Sequence, residues 1–209
     1  FSANGHDQNS RYGDEAFDAI QNIGFGQLVW DKTIKRHQLL LGASLRYTYY
    51  DDNTVVTEKE VNGEVINQPE ETYLPGIFVQ DEWKISNQHA LLTGIRYDYN
   101  SLHGSILTPR VNYKWTSINK MNIFRLSAGS GYRVANVFTE DHAALTGARE
   151  VVFVSELKPE TSWNVNANFV KKHHFKNGLF LNFDASIFYT YFNNKIIPDY
   201  DTNPQLIIY

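Results

Sequence analysis

The sequence predicts an all-β chain, an antiparallel stretch of transmembrane β-barrel wall about eight to nine strands wide. Three observations lead there. Apolar and polar residues alternate with period two through most of the chain, which is strand periodicity and not the 3.6 of a helix. The connections between these segments alternate between short and longer, as in a barrel with tight turns on one side of a membrane and loops on the other. The polar faces carry Gly, Ser, Asn, Thr and Arg in mid-strand where a solvated soluble sheet would carry Lys and Glu, and aromatics gather near strand ends.

Residues 90–115 show the pattern most fully. Leu91, Ile95, Tyr97, Tyr99, Leu107, Val111, Tyr113 and Trp115 fall on odd positions, with Gly94, Arg96, Asp98, Arg110, Asn112 and Lys114 between them. Both arms exceed the roughly five to six residues of an ordinary globular strand and suit the ~9–11 tilted residues that cross a bilayer.

Taken in order, residues 17–30 form a weaker strand whose alternation slips around Gly24 and Gly26. Residues 31–36 make a short turn, and residues 37–50 the next strand. Residues 51–72 break all periodicity and hold Asp51, Asp52, Glu58, Glu60, Glu64, Glu70 and Glu71 against one Lys59, so a long acidic loop is expected, solvated or able to recruit a cationic ligand. Alternation resumes at 73–86, and 87–89 lead straight into the 90–115 hairpin. After a turn at 116–121 come a strand at 122–133, a loop at 134–156, a strand from 157 to 170, a turn through 173–178 and the most regular strand at 179–191. The closing residues 204–209, PQLIIY, read as a strand just beginning. With FSANGHDQNS at the start lacking a basic and apolar leader pattern, both ends are expected to be cut from a longer protein.

Composition narrows the function classes. The chain has 209 residues with 13 Tyr, 13 Phe, 4 Trp and no Cys, so it has neither disulfides nor thiolate metal sites. A net charge of −4 lacks the basic footprint of a nucleic-acid binder. No run approaches the 18 apolar residues of a spanning helix. The seven histidines show no metal-ligand spacing, and His173 and His174 are expected in a solvated turn. No G-x-S-x-G and no phosphate-cradling glycine loop occurs, so no catalytic residue, metal site or cofactor is expected.

An Arg on the lipid face near the midplane costs roughly 2–4 kcal/mol, so Arg46, Arg96, Arg110 and Arg125, each flanked by apolar or aromatic neighbours, are expected to face a lumen. There they either steer an anionic chelate or pair with Asp98, Glu82 or carboxylates of an internal domain. Small residues such as Gly94, Gly129 and Gly131 leave room beside them. Ligand contact is expected around the loops, from His103, Arg133, Asn136, Thr139, Glu140 and His142.

The stretches FVQDEWKIS (78–86), LLTGIRYDYN (91–100), LTPRVNYKW (107–115), FRLSAGSGYRVANVFTE (124–140) and LKPETSWNVNANF (157–169) resemble, in this order and spacing, the TonB-dependent outer-membrane receptors of Bacteroidetes-type bacteria. The resemblance implies a 22-stranded parent barrel filled by a plug domain that engages TonB. Residues 1–209 would then be part of the barrel domain, with the plug and remaining strands outside the sequence. It also implies a Gram-negative outer membrane setting with lipid and lipopolysaccharide as partners, and import of a scarce nutrient: a ferric siderophore or other metal chelate, cobalamin or a glycan. Two readings stand beside it, a soluble all-β module binding a glycan or protein, and a barrel enzyme acting on lipid.

Overall fold

The structure is a computed structural model that describes residues 1–12, 15–54, 57–61, 63–134, 149–154 and 158–209. In chain order its strands are β1 (Ser2–Tyr12), β2 (Glu15–Ile34), β3 (His37–Asp52), β4 (Glu58–Val61), β5 (Glu64–Asn67), β6 (Glu70–Lys84), β7 (His89–Asn100), β8 (Gly104–Thr116), β9 (Asn122–Arg133), β10 (Glu150–Val152), β11 (Glu160–His174), β12 (Phe180–Asn194) and β13 (Leu206–Ile208). Nine of them form one antiparallel sheet in the order β1-β2-β3-β6-β7-β8-β9-β11-β12. Every neighbour in this sheet is the next long strand along the chain, a meander without crossovers.

Register carries the sequence alternation across the sheet. Because directly opposed residues in an antiparallel pair share a face, Trp30, Leu41, Val79 and Ile95 fall in one transverse row, and Leu126, Ala167 and Ile187 in another. This face is uncovered. Leu181, Phe183 and Ile187 keep 56%, 55% and 73% of their surface, where the second layer of a soluble sandwich would bury them.

Aromatics bracket the apolar band. Tyr47 packs on Tyr73 with ring centroids 5.0 Å apart at one edge, and His37 stacks on Trp83 at 5.6 Å at the other. Both pairs are directly opposed across β3 and β6, ten positions apart on each strand. At about 3.4 Å per residue and a tilt near 45° that separation is about 24 Å, matching the ~25 Å apolar band of an outer-membrane barrel.

Residues 35–36, 85–88, 117–121 and 175–179 turn tightly at the Trp83 end, while the Tyr47 end carries the long connections from β3 to β6 and from β9 to β11 and the three-residue turn 101–103. In that turn Asn100 Oδ1 accepts from the amides of Leu102 and His103 at 2.8 and 3.1 Å, and Gly104 takes a φ of 78° that a side chain resists.

Several details differ from the sequence expectation. β1 is a full strand, although SANGHDQNSRY has no apolar face; its eleven residues are held by pairing with β2, which runs twenty residues. The closing residues do not start a further strand of the wall, because Leu206–Ile208 pair in parallel with Glu150–Val152. The acidic loop contains the β4-β5 hairpin. Tyr50, at the end of β3, points to the face opposite Tyr47, where it is buried and donates to Asp52 Oδ2 at 2.6 Å. His173 and His174 end β11 as strand residues and pack on Phe175 and Phe180.

Candidate functional site

The face opposite the apolar band holds the polar side chains, and glycine makes their placement possible. Arg96 and Asp98 stand two apart on β7 and therefore on the same side. Arg96 Nε donates to Asp98 Oδ2 at 2.7 Å, and its Nη2 donates to Asp98 Oδ1 at 2.6 Å and to Ser44 Oγ at 2.8 Å. Asp98 is 1% exposed. Its carboxylate lies over Gly76, where a Cβ would stand 2.0 Å from Asp98 Oδ1. Gly42 likewise leaves space for the Phe78 ring, and the Arg96 guanidinium sits 5.7 Å from that ring's centroid.

The other arginines extend this face. Arg110 shares a transverse row with Gly94, Gly129 and Asn164, lies against the Cα positions of both glycines, and donates from Nη2 to Gln80 Oε1. Arg125 Nη1 donates to Asn168 Oδ1 at 2.8 Å, and Asn168 Nδ2 in turn donates to Asp184 and Ser186. Arg46 is exposed and makes no hydrogen bond among the described residues. The result is a set of solvent-accessible cations facing away from the apolar band, with Arg96, Arg110 and Arg125 anchored by hydrogen bonds.

At the loop end this face is covered. Phe17, Ala19 and Tyr50 from β2 and β3 form a buried cluster against Val151, Phe153, Ile196 and Tyr209, which come from the segments following β9 and β12. Asp52, 5% exposed, accepts from the hydroxyls of Tyr50, Thr54 and Thr57. Arg133 reaches Glu160 Oε2 through Nε at 2.9 Å and Nη2 at 2.7 Å, and Glu160 Oε1 accepts from the Ile196 amide at 2.8 Å. Glu160 starts β11 beyond the apolar band. Burial of its carboxyl pushes the pKa up, but the Ile196 amide and the Arg133 guanidinium outweigh that and hold it below the usual carboxylate range.

Of the residues picked out for ligand contact, His103 sits in the 101–103 turn and Arg133 at the end of β9 in its pair with Glu160. Asn136, Thr139, Glu140 and His142 lie outside the described residues. Sequence reasoning passed over Ser44, Phe78 and Glu160. The Arg-x-Asp spacing at 96–98 was a usable signal, since alternation puts both side chains on one face. Nothing local marks Ser44, which lies 52 positions from Arg96.

The family model for TonB dependent receptor-like β-barrels matches residues 1–208. An iron-regulated outer membrane virulence protein of Vibrio cholerae is 30% identical over 89 residues, covering 42% of this chain and 14% of its own length. Among solved structures, the siderophore receptor PirA from Pseudomonas aeruginosa superposes with a TM-score of 0.67 at 14% identity, covering 99% of this chain and 36% of its own. The ferric enterobactin receptor PfeA from the same organism gives 0.66 at 16%, covering 94% and 32%. The copper transporter OprC gives 0.69 at 12%, covering 98% and 37%. The chain thus spans about a third of the length of these barrels and a smaller part of its curated relative.

Proposed function

Because this chain belongs to the TonB-dependent receptor-like β-barrel family, and so to the outer membrane of a Gram-negative cell, we propose that it is one section of the wall of a receptor that imports a scarce nutrient with energy delivered by TonB. The family is one of transport receptors; that this protein has no enzymatic activity is part of the proposal. The remaining strands, and a plug domain carrying the TonB contact, belong to the same receptor. The similar proteins named for siderophores, for iron regulation and for copper favour a metal chelate, and a ferric siderophore first, over cobalamin or a glycan.

The observation that carries this reading is the division of the sheet's two faces. The outer face is an uncovered apolar band of bilayer height, and the inner face holds Arg46, Arg96, Arg110 and Arg125. Facing a water-filled lumen, those cations would raise the local concentration of an anionic chelate, while the loop residues His103, Arg133, Asn136, Thr139, Glu140 and His142 would meet it first. Transport then requires binding and release and no covalent step. Lipid and lipopolysaccharide surround the band, and nucleic acid has no place in the scheme.

The test is growth. A strain lacking the receptor is supplied in turn with ferric siderophores, copper chelates, cobalamin or glycans as the limiting source. Failure to grow on one metal chelate, restored by the intact gene, is expected. Normal growth on every source would overturn the reading.

A further inference from the structure

The outer face carries a groove of about 570 Å³ within the apolar band, lined by residues such as Leu28, Trp30, Leu41, Ile77, Val79 and Tyr97. That volume lies within the ~300–1,000 Å³ of small-molecule sites. Its cause is local. Ala43 stands in the same transverse row as Leu28, Ile77, Tyr97 and Leu107, so one short side chain lies between two that project, Leu28 and Ile77. The groove is therefore a furrow over Ala43 running along the wall.

Immediately toward the short-turn side, the same face changes character. The next row holds Lys32, Leu39, Asp81 and Thr93, and the row after it Ile34, His37, Trp83 and Leu91. Lys32 is exposed, lies 5.9 Å from the centroid of the Trp30 ring, and forms no ion pair among the described residues. His37 is diagonal to it, about 7–8 Å away by strand geometry. Its Nδ1 is committed to Asp81 Oδ2 at 2.7 Å and its ring is stacked on Trp83, which leaves Nε2 unengaged. The Asp81 carboxylate thus holds the imidazole in place beside Lys32, with its second ring nitrogen turned away from the contact. Asp31, the other nearby carboxylate, is on the opposite face and accepts from Gln38. Lys35, Arg36, Lys84, Lys171 and Lys176 lie in or beside the same row of short turns and outnumber the acids Asp31, Asp81 and Glu82 near it.

We propose that the furrow and the basic rim below it form one site for an anionic phospholipid of the periplasmic leaflet, with an acyl chain over Ala43 and the headgroup phosphate between Lys32 and His37. An apolar furrow alone would take any hydrocarbon chain. The choice of an anionic headgroup follows from charge: a basic rim near a membrane surface attracts acidic lipid, at roughly fivefold in affinity per Lys or Arg. The inference rests on the outer-membrane reading of the apolar face and is independent of the cargo.

The experiment uses the full-length receptor extracted in mild detergent and observed by native mass spectrometry. Phosphatidylglycerol is titrated in one series and phosphatidylethanolamine in another. The expected result is a one-to-one adduct with phosphatidylglycerol at about tenfold lower concentration than with phosphatidylethanolamine. Lys32→Gln should weaken the phosphatidylglycerol adduct about fivefold, Lys32→Arg should retain it, and Ala43→Phe should weaken the adducts of both lipids by filling the furrow. Heat-modifiable migration on gels confirms that each variant is folded. Equal retention of the two lipids, variants without effect, or a receptor dimer in place of a lipid adduct would each overturn the proposal. A receptor that still supports growth on its chelate while failing this titration would remove the lipid site alone; failure of both would indict the membrane assignment.

Discussion

Asp98 holds Arg96 in a two-point grip, Nε to Oδ2 at 2.7 Å and Nη2 to Oδ1 at 2.6 Å, with the carboxylate 1% exposed and the guanidinium about one-third exposed. A bidentate pair of this kind is stronger and more directional than a single contact. Because its acidic partner is desolvated, its loss is expected to cost more than that of an exposed ion pair. Arg96→Ala should destabilise the receptor by about 2–3 kcal/mol, below the 3–5 kcal/mol of a fully buried pair because Arg96 is partly solvated. The double variant Arg96→Ala/Asp98→Ala should cost less than the sum of its singles. Denaturant titration in detergent reads all three; strict additivity would deny the coupling.

Gly76 is the seat of that pair. A methyl group there would stand 2.0 Å from Asp98 Oδ1 and 2.8 Å from Arg96 Nη2, so the pair must move or break. Gly76→Ala is expected to lower stability by about 1–3 kcal/mol, the cost of overpacking, despite the higher strand propensity of Ala. Gly24, with nothing within 4 Å of its added Cβ, serves as the control and should tolerate the same change. Equal melting temperatures for both variants would contradict this account.

The outer face makes a depth prediction. Ile187 keeps 73% of its surface and shares a row with Ala167 and Leu126 in the middle of the band. Ile187→Arg should cost about 2–4 kcal/mol in folding of the receptor into lipid vesicles. Ser127→Arg, on the inner face, should cost far less. If the two were equal, the assignment of faces would be wrong.

Glu160 makes a prediction about acid. Its folded carboxyl lies below the ordinary value, for which about 4.3 is typical, so the unfolded state takes up the proton first as pH falls. The stabilising contribution is therefore complete above the unfolded value and is lost as pH drops through the folded one. Protection of the Ile196 amide from hydrogen exchange, corrected for the intrinsic rate, should hold near neutrality and fall below about pH 4. Glu160→Gln should abolish that dependence, and a pH-independent protection in the parent would refute it.

For the proposed cargo, Arg46 is the one of Arg46, Arg96, Arg110 and Arg125 that makes no hydrogen bond among the described residues, which makes it the most available of the four to an anion. Arg46→Gln is expected to weaken uptake of an anionic chelate about fivefold, with Arg46→Lys between the two, as measured by cellular accumulation of the labelled metal. No change in either variant would assign ligand contact elsewhere on the wall or in the loops.

Period-two alternation marked eight of the nine strands of the wall and separated the apolar face of each from its polar face. Each of those properties follows from the pleat, which sends successive side chains to opposite sides whatever the rest of the protein does. β1 escaped because its residues are polar on both faces, and hydrogen bonding to the extended β2, not side-chain pattern, makes it a strand. Tertiary structure alone decided that Ser44 completes the Arg96 grip, that Gly76 and Gly42 are the spaces others fill, and that Val151, Phe153, Ile196 and Tyr209 close over Phe17 and Tyr50. It also decided that PQLIIY pairs with a strand from another loop and does not continue the wall. These relations join residues tens to well over a hundred positions apart, and no local period encodes which distant segment arrives to share a face.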